Sequence, residues 1–281
     1  MLKRILIACC AFAAVLSATA QATDGYRLVW HDEFDYDGRP NPDYWAFENG
    51  FVRNNEWQWY QAQNAECRDG LLVITARRES KENPGYNPTS EKWGENRERI
   101  ECTSASVITK GKKEFLYGRF VVRARIPAAR GSWPAIWFKG SKYPWPSCGE
   151  VDLMEFYPRG GHAQIHANAC WGGDNGSKWD SQAVPFTHFT EKDSLWATQF
   201  HVWRMDWEKD YIRLYLDDEL LNEIDLTKTV NSKKSAGAGD NPFHTPMFLL
   251  LNLAMGSTGG KVDEAALPMH YEIDYVRVYQ K

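Results

Sequence analysis

Apolar residues along this chain recur in short runs that are separated by polar or glycine-containing turns. Two runs alternate apolar and polar residues, at 120–126 (FVVRARI) and 211–216 (YIRLYL), and such alternation is typical of a strand with one buried face. Charged triplets at 208–210 and 217–219 predict turns on either side of the second run. The pattern predicts a series of strands, among them 26–30, 71–76, 104–109, 119–126, 135–138, 151–156, 164–168, 201–206, 211–216, 247–253 and 271–279.

No long stretch with a helical period and capping residues interrupts these strands. Many short strands without interleaved helices favour an all-β sandwich of antiparallel sheets over a parallel βαβ sheet. Three stretches are predicted as long loops: 77–99, 172–184 and 232–241. The chain shows no internal repeat and no Pro-, Ser- or Gly-rich linker, so we predict a single domain over residues 23–281.

The first twenty residues have the pattern of a secretory signal peptide. Lys3 and Arg4 precede an apolar run at 5–16, and Ala18-Thr19-Ala20 supplies a small-x-small cleavage site. We therefore predict that residues 1–20 are removed and that the protein is exported to the periplasm, cell surface or exterior. A lipoprotein-like cleavage box before Cys9 is disfavoured, because cleavage there would leave almost no apolar segment. No other segment has the length of an integral membrane span.

Composition excludes some partners and raises one question. The 281 residues carry 33 basic and 37 acidic side chains, for a net charge of -4 without a long basic run, so non-specific nucleic-acid binding is not expected. The chain contains 13 Trp, 13 Tyr and 13 Phe. Because an indole is costly to bury fully and has an apolar face and a polar edge, some of these tryptophans suit half-exposed platforms.

Four cysteines remain after the predicted cleavage, at Cys67, Cys102, Cys148 and Cys170. An export compartment allows disulfides, and four cysteines allow three pairings that the sequence does not distinguish. Cys148 and Cys170 lie symmetrically about a predicted turn at 159–160, so they could face each other across two strands. Two free buried thiols are an equally good interpretation.

Three acidic residues stand in one apolar strand, at Glu150, Asp152 and Glu155. Alternate residues share a face of a strand, so Glu155 is one position late, and a β-bulge at 153–154 would return it to the face of the other two. Neighbouring carboxylates repel and push their pKa values apart, as a glycosidase requires for an ionised nucleophile and a protonated acid. Calcium binding is an equal alternative on spacing alone. A solvated strand face is disfavoured by the apolar surroundings.

The segment 150–155 (EVDLME) resembles the bulged E-x-D-x-x-E signature of glycoside hydrolase family sixteen, in its laminarinase-like branch. Four further segments resemble that family in the same order: an opening strand at 28–34 (LVWHDEF), an N-N-E-L-Q-Y-Y stretch at 54–60 (NNEWQWY), G-x-W-P-A-x-W at 131–138 (GSWPAIWF) and a closing strand at 274–279 (DYVRVY). The resemblance therefore spans nearly the whole mature chain.

The resemblance implies a β-jelly-roll sandwich of two antiparallel sheets with a concave substrate cleft. It implies that Glu150 is the nucleophile, that Glu155 is the general acid/base, and that Asp152 hydrogen-bonds and tunes the nucleophile. The expected protein is a secreted, retaining endo-β-glycosidase, most simply one that cleaves β-1,3- or mixed β-1,3/1,4-glucan. An endo-β-galactosidase acting on algal galactan or mucin glycans is the alternative. A carbohydrate-binding protein without activity is disfavoured because both glutamates are present.

The resemblance also implies side chains that bind the substrate, namely Trp133, Trp137, His166, Asn55, Glu56 and Trp59. For His166, and for one of the first two tryptophans, a structural role is the alternative. Trp57, Trp171 and Trp179 are additional candidates for sugar platforms.

In some members of the family a structural calcium lies at the positions of Glu33 and Asp274, but two carboxylates do not complete a site of six to eight oxygens. No cofactor is expected for catalysis, and the expected partner is a polysaccharide or oligosaccharide bound by a monomer. The chain departs from the family at Ser106, where many laminarinases carry Arg, at Trp57 in place of Leu, and in its long charged loop at 77–99. These departures leave the identity of the glycan open.

Overall fold

A computed structural model describes residues 25–281, so the predicted signal peptide at residues 1–20 lies outside the described residues. Strands dominate this part of the chain. They are β1 (Arg27–Asp32), β2 (Ala46–Phe47), β3 (Trp59–Tyr60), β4 (Ala65–Arg68), β5 (Leu71–Glu82), β6 (Arg99–Ser104), β7 (Ser106–Ile108), β8 (Gly118–Arg125), β9 (Ser132–Gly140), β10 (Glu150–Arg159), β11 (His162–Gly173), β12 (Gly176–Pro185), β13 (His201–Trp207), β14 (Tyr211–Leu216), β15 (Glu219–Asp225), β16 (Met247–Met255) and β17 (Met269–Gln280).

Helical structure within the described range is limited to short turns of chain. One α-helix, α1, spans Thr187–Thr190. The 3₁₀ turns are Ala62–Asn64, Trp196–Thr198, Leu226–Lys228, Pro242–His244, Ser257–Gly259 and Glu264–Ala266. Across residues 25–281, no helix is long and apolar enough to cross a membrane.

The strands form two sheets, which confirms the predicted sandwich. The first sheet has the order β15-β14-β13-β8-β17-β5-β6-β3, with β1 added to β17 and β4 added to β5. The second sheet has the order β12-β11-β10-β9-β16-β7-β2. The pairing is antiparallel except between β3 and β6, which run parallel over two residue pairs.

The hydrophobic core lies between the sheets. In β8, alternate residues are buried, and Phe120 of this strand meets Phe138 of β9 with ring centroids 4.9 Å apart, so the two sheets are in direct contact. Trp203 and Trp207 of β13 are fully buried in the same core. The period-two pattern that predicted these strands is therefore the pattern of side chains entering the core.

The hairpin of β10 and β11 sets the positions of the acidic residues. Gly160 and Gly161 form its turn with φ of +62° and +83°, a pair of positive values that a two-residue type I′ turn requires and glycine adopts without strain. Arg159 pairs with His162 directly beside the turn. The hairpin turn therefore exists, but its central residues are one position later than the predicted 159–160.

Several predicted loops and turns are wrong in part. Most of 172–184 is strand β12, which pairs with β11 along its length. It was missed because its side chains are mostly exposed and polar on both faces, so no alternation marks it. The loop 77–99 shortens to 83–98, since β5 continues to Glu82 and β6 begins at Arg99. The predicted 104–109 strand divides between β6 and β7, and the predicted turn at 217–219 ends where β15 begins.

All four cysteines of the described chain are buried and free. The structure thus has the second of the two arrangements that the sequence left open for Cys148 and Cys170, namely two thiols. Burial raises the pKa of the Cys102 thiol to about 12, which keeps this group protonated and poorly reactive.

The inter-sheet contact at Phe138 gives a stability test. We expect Phe138→Ala to lower the free energy of unfolding by about 3–5 kcal/mol, because it leaves a cavity between the sheets. Leu220→Ala, at a side chain that is 48% exposed on β15, should cost less than about 0.5 kcal/mol. Urea unfolding of both variants measures the difference, and equal losses would contradict the assignment of the core.

Candidate active site

The acidic strand β10 carries the predicted bulge. On the β11 side Glu150 pairs with Cys170 and Asp152 with Asn168, and the register then shifts before Glu155 pairs with His166. The pairing with β9 shifts between Asp152 and Met154. Because of this extra residue, Glu150, Asp152 and Glu155 all line one cleft.

The cleft has a volume of about 570 Å³ and crosses the second sheet. Aromatic, charged and amide side chains form its walls. From the described chain they are Arg53, Asn54, Glu56, Trp133, Trp137, Lys139, Trp145, Tyr157, Asn168, Trp179 and Asn252, in addition to the three acids.

Glu155 is held by two donors. The indole Nε1 of Trp133 donates to its Oε1 at 2.9 Å, and the Nδ2 of Asn168 lies 3.3 Å from its Oε2. The pKa of Glu155 is raised to about 7, chiefly by burial and also by the charge of Glu150, while the Trp133 hydrogen bond acts in the opposite direction. Near neutral pH this carboxyl group can therefore carry a proton and release it.

Glu150 has a different environment. The indole Nε1 of Trp145 donates to its Oε2 at 3.1 Å. Burial is the main cause that raises the pKa of Glu150, and the positive charge of Lys139, the Trp145 hydrogen bond and the charge of Arg53 oppose it, so that the pKa is about 7. Cations thus face Glu150, whereas carboxyl groups and neutral donors face Glu155. This difference favours ionisation of Glu150 before Glu155.

Asp152 lies between the two glutamates and is almost completely buried. Burial and the charges of Glu155 and Glu150 raise its pKa. Its hydrogen-bond partners are Asn168, with Nδ2 at 3.3 Å from Oδ2, and Glu155. The expectation that Asp152 hydrogen-bonds Glu150 differs from this geometry, because the bulge turns Glu155 toward it instead.

Only part of the predicted binding set lines the cleft. Trp133, Trp137 and Glu56 do, and the indole of Trp137 is fixed by donation from its Nε1 to Asn252 Oδ1 at 2.7 Å. Asn55 and Trp59 are outside the lining, where the ring of Trp59 packs edge-on against Phe51 at 5.3 Å.

His166 is buried behind the cleft wall. Its ring stacks on Tyr157 with centroids 3.6 Å apart, and its Nε2 is 3.2 Å from the Tyr157 carbonyl oxygen, to which it donates. Burial lowers the pKa of His166 to about 4, so the ring is neutral at neutral pH. In this position it supports Tyr157, which lines the cleft.

The additional tryptophan candidates separate into different environments. Trp179 is 42% exposed and lines the cleft. Trp171 is buried in the hydrophobic core, 6.3 Å from Phe243, so its interpretation as a sugar platform is wrong. It follows Cys170 on β11 and therefore points to the opposite side of the sheet from the acids. Trp57 is outside the lining, and its indole Nε1 donates to Glu101 Oε2 at 3.4 Å.

Sequence reasoning missed Arg53, Lys139, Trp145, Tyr157 and Asn168. Lys139 carried a signal, since it is a lone charge in an otherwise apolar run at 132–140. The others are brought to the cleft by strand register or by loops, which no local pattern reveals.

Ser106, the departure from the resembled family, is tied to this cleft through Glu48. Ser106 Oγ donates to Glu48 Oε2 at 2.6 Å, and Glu48 forms an ion pair with Arg53. The guanidinium of Arg53 in turn lies 5.1 Å from the ring of Trp137. The cation next to Trp137 in the cleft is therefore the guanidinium group of Arg53.

Glu33 and Asp274, the possible calcium pair that the resemblance implied, do not fit that ion. Glu33 accepts two hydrogen bonds from Arg277, at 2.9 and 2.7 Å, and Asp274 is paired with Arg123. Within residues 25–281, no group of three or more His, Cys, Asp or Glu side chains is arranged to hold a metal ion. Two carboxylates already neutralised by arginines do not supply the oxygen-rich site that calcium requires.

Comparisons with known proteins agree on the family of this chain. A family model described as glycosyl hydrolases family 16 matches residues 51–277. The chain is 35% identical to a β-glucanase of Rhodothermus marinus, over 91% of this chain and 85% of that protein. It is similar to the laminarinase catalytic domain of Thermotoga maritima, with a TM-score of 0.72, 30% identity and coverage of 91% and 98% of the two chains.

A further similar structure comes from work on endo-acting O-glycanases that members of the human gut microbiota express to initiate mucin breakdown. It gives a TM-score of 0.80 and 33% identity, and the match covers 92% of this chain and 91% of that chain.

The raised pKa of Glu155 predicts a pH-dependent gain in stability for Glu155→Gln. The carboxyl group titrates near 4.5 when unperturbed and at about 7 in the fold, so ionising it opposes folding. That penalty is absent below about pH 4.5, grows as the pH rises from about 4.5 to about 7, and is constant at higher pH. We expect the free energy of unfolding of the variant to exceed that of the parent by about 1–3 kcal/mol near pH 8, with no difference near pH 4.

Urea unfolding at the two pH values makes this measurement, with Glu91→Gln at an exposed position as the control. A gain of equal size at both pH values would contradict the electrostatic explanation.

Proposed function

Because this chain belongs to glycosyl hydrolase family 16 and is a retaining glycoside hydrolase, we propose that it is an exported endo-β-glucanase that cleaves internal bonds of β-1,3- or mixed β-1,3/1,4-glucan. The observation that carries the proposal is the convergence of Glu150, Asp152 and Glu155 on one aromatic-walled cleft. Export follows from the predicted signal peptide.

In the first step, a carboxylate oxygen of Glu150 attacks the anomeric carbon of the sugar in the cleft. Glu155 donates its proton to the glycosidic oxygen as the bond breaks, so that the far half of the chain leaves with a hydroxyl group and a glycosyl ester forms on Glu150. The surroundings support this division of roles, because Lys139 and Arg53 favour the charged form of Glu150.

In the second step, Glu155 is a carboxylate and accepts a proton from water. The water oxygen attacks the anomeric carbon from the face that the leaving group occupied, and Glu150 is released as a carboxylate. Two inversions give net retention. Asp152 supports this cycle by its hydrogen bond with Glu155, through which the protonated Asp152 stabilises the carboxylate that the first step creates.

The shape of the cleft supports internal cleavage. Its lining includes residues of five adjacent strands, β12, β11, β10, β9 and β16. Neighbouring strands are about 4.8 Å apart, so the lining extends about 19 Å across the sheet and continues on both sides of the strand that carries the acids. Trp145 and Trp179 are 47% and 42% exposed and offer indole faces on which the apolar faces of sugars stack.

A second candidate is an endo-β-galactosidase that acts on galactose-containing glycans such as mucin chains. The similarity to the structure from the work on gut O-glycanases supports this candidate. Trp179 lines the cleft from the edge strand β12, two strands away from the acids, so it belongs to the part of the site that distinguishes the two substrates.

The nucleophile assignment predicts the effect of Glu150→Ala. We expect kcat/KM on the preferred glycan to fall by more than about a thousandfold, because the covalent step is lost, while the thermal unfolding temperature does not decrease. Glu66→Ala, at an exposed residue of the first sheet, should retain parental activity. Full activity in the Glu150 variant would refute the assignment.

Product analysis tests the reaction and the substrate together. The mature protein is incubated separately with laminarin, mixed-linkage glucan, agarose, keratan and mucin, and new reducing ends are counted. We expect oligosaccharides from the glucans, with the anomeric configuration at early times, read by NMR, matching that of the substrate. Release of oligosaccharides from keratan or mucin alone would favour the galactosidase. A product with the opposite anomeric configuration would exclude the nucleophilic role of Glu150. Binding of a glycan without new reducing ends would indicate a non-catalytic protein.

A further inference from the structure

Lys139 interrupts the buried strand β9. The other residues from Ser132 to Gly140 are buried, and Lys139 alone is partly exposed. In the antiparallel register Lys139 pairs with Glu150, and both side chains line the cleft. The β-carbons of directly opposed residues lie about 4.5–5.5 Å apart on one face of a sheet, so this register places the Lys139 and Glu150 side chains next to each other.

The Lys139 ammonium group is not engaged elsewhere. Over residues 25–281, it has no hydrogen bond or ion pair with another side chain. Arg53, the other cation of the cleft, is already paired with Glu48, so much of its charge is neutralised. Lys139 is therefore the cation of the cleft whose charge is available to Glu150 and to charge that develops on it.

The groups that face Glu150 come from every neighbouring element. They are Lys139 on β9, Asp152 and Glu155 on β10, Cys148 and Trp145 in the loop before it, Cys170 on β11 and Arg53 between β2 and β3. The two carboxyl groups and burial oppose a charge on Glu150. Lys139 is the strongest of the groups that favour it, ahead of Trp145 and Arg53.

We propose that Lys139 is a positioning residue that holds Glu150 in its charged, nucleophilic form. The inference rests on the proposed function, in which Glu150 attacks the anomeric carbon. Attack consumes the charge of the carboxylate, and release of the sugar restores it. A positive charge on the strand next to Glu150 therefore lowers the pH at which the free enzyme becomes competent and stabilises Glu150 as a leaving group in the second step.

The sign of the effect follows from the charges. Removing a cation raises the pKa of a neighbouring carboxyl group, so a larger share of Glu150 is protonated and inactive at mildly acidic pH. For Lys139→Met we expect the acidic limb of the kcat/KM profile to move upward by about one pH unit, so that activity well below the midpoint falls about tenfold. The basic limb, which reports the proton on Glu155, should move less.

The experiment compares Lys139→Met with Lys139→Arg, which keeps the charge and should restore the parental acidic limb. Lys113→Met, at an exposed position outside the cleft, changes the net charge equally and should leave the profile unchanged. If the methionine variant does not fold, Lys139→Gln gives the same readout with a polar side chain. Thermal unfolding verifies each variant.

A loss of kcat/KM that is uniform across pH, with the acidic limb unmoved, would overturn the inference and show that Lys139 only fills space. The result for Glu150→Ala distinguishes a failure of the inference about Lys139 from a failure of the proposed function. If that variant is inactive and the limb does not move in Lys139→Met, only the inference about Lys139 fails. If Glu150→Ala is active, the proposed function itself fails.

Discussion

Three carboxyl groups within one bulged segment are the constraint around which the functional face of this protein is arranged. Burial and mutual repulsion disfavour their charged forms, and the pKa values of Glu150 and Glu155 both rise to about 7. The strand that carries them is bonded on both sides, by β9 and β11, and the indoles of Trp133 and Trp145 donate to the two glutamates. This support keeps together groups that would otherwise separate, at a cost in stability.

The two-layer fold supplies the rigidity that this arrangement requires. One face of the second sheet packs on the first sheet through contacts such as Phe120 with Phe138, and its other face forms the cleft. The tryptophan excess has two structural explanations rather than one. Trp203 and Trp207 fill the core, whereas Trp145 and Trp179 expose indole faces beside the acids. Composition alone suggested platforms and did not separate these populations.

Local patterns predicted what depends on local structure. The alternation at 211–216 predicted β14, and the spacing of Glu150, Asp152 and Glu155 predicted the bulge, because both follow from the period of a strand. Strand β12 was missed because an exposed strand bonded mainly through its backbone has no apolar period.

Side chains that reach the cleft through long-range register were missed for another reason. Lys139 meets Glu150 only because β9 and β10 pair in one register, and Arg53 arrives from a loop. The hydrogen bond between Asp152 and Glu155 likewise depends on how the bulge turns the side chains. The resemblance offered Glu33 and Asp274 as a possible calcium pair, and no local pattern shows that Arg277 and Arg123 pair with these carboxylates.

The central claim is that a sugar becomes covalently attached to Glu150 during turnover. A 2-deoxy-2-fluoro glycoside with a good leaving group forms this ester quickly and hydrolyses slowly, because the fluorine destabilises the positively charged transition states of both steps. Mass spectrometry of the trapped protein, followed by proteolysis and fragmentation, identifies the residue that carries the sugar. The account predicts one added glycosyl group on Glu150. A label on Glu155 or Asp152, or continued rapid hydrolysis of the reagent without any label, would contradict it.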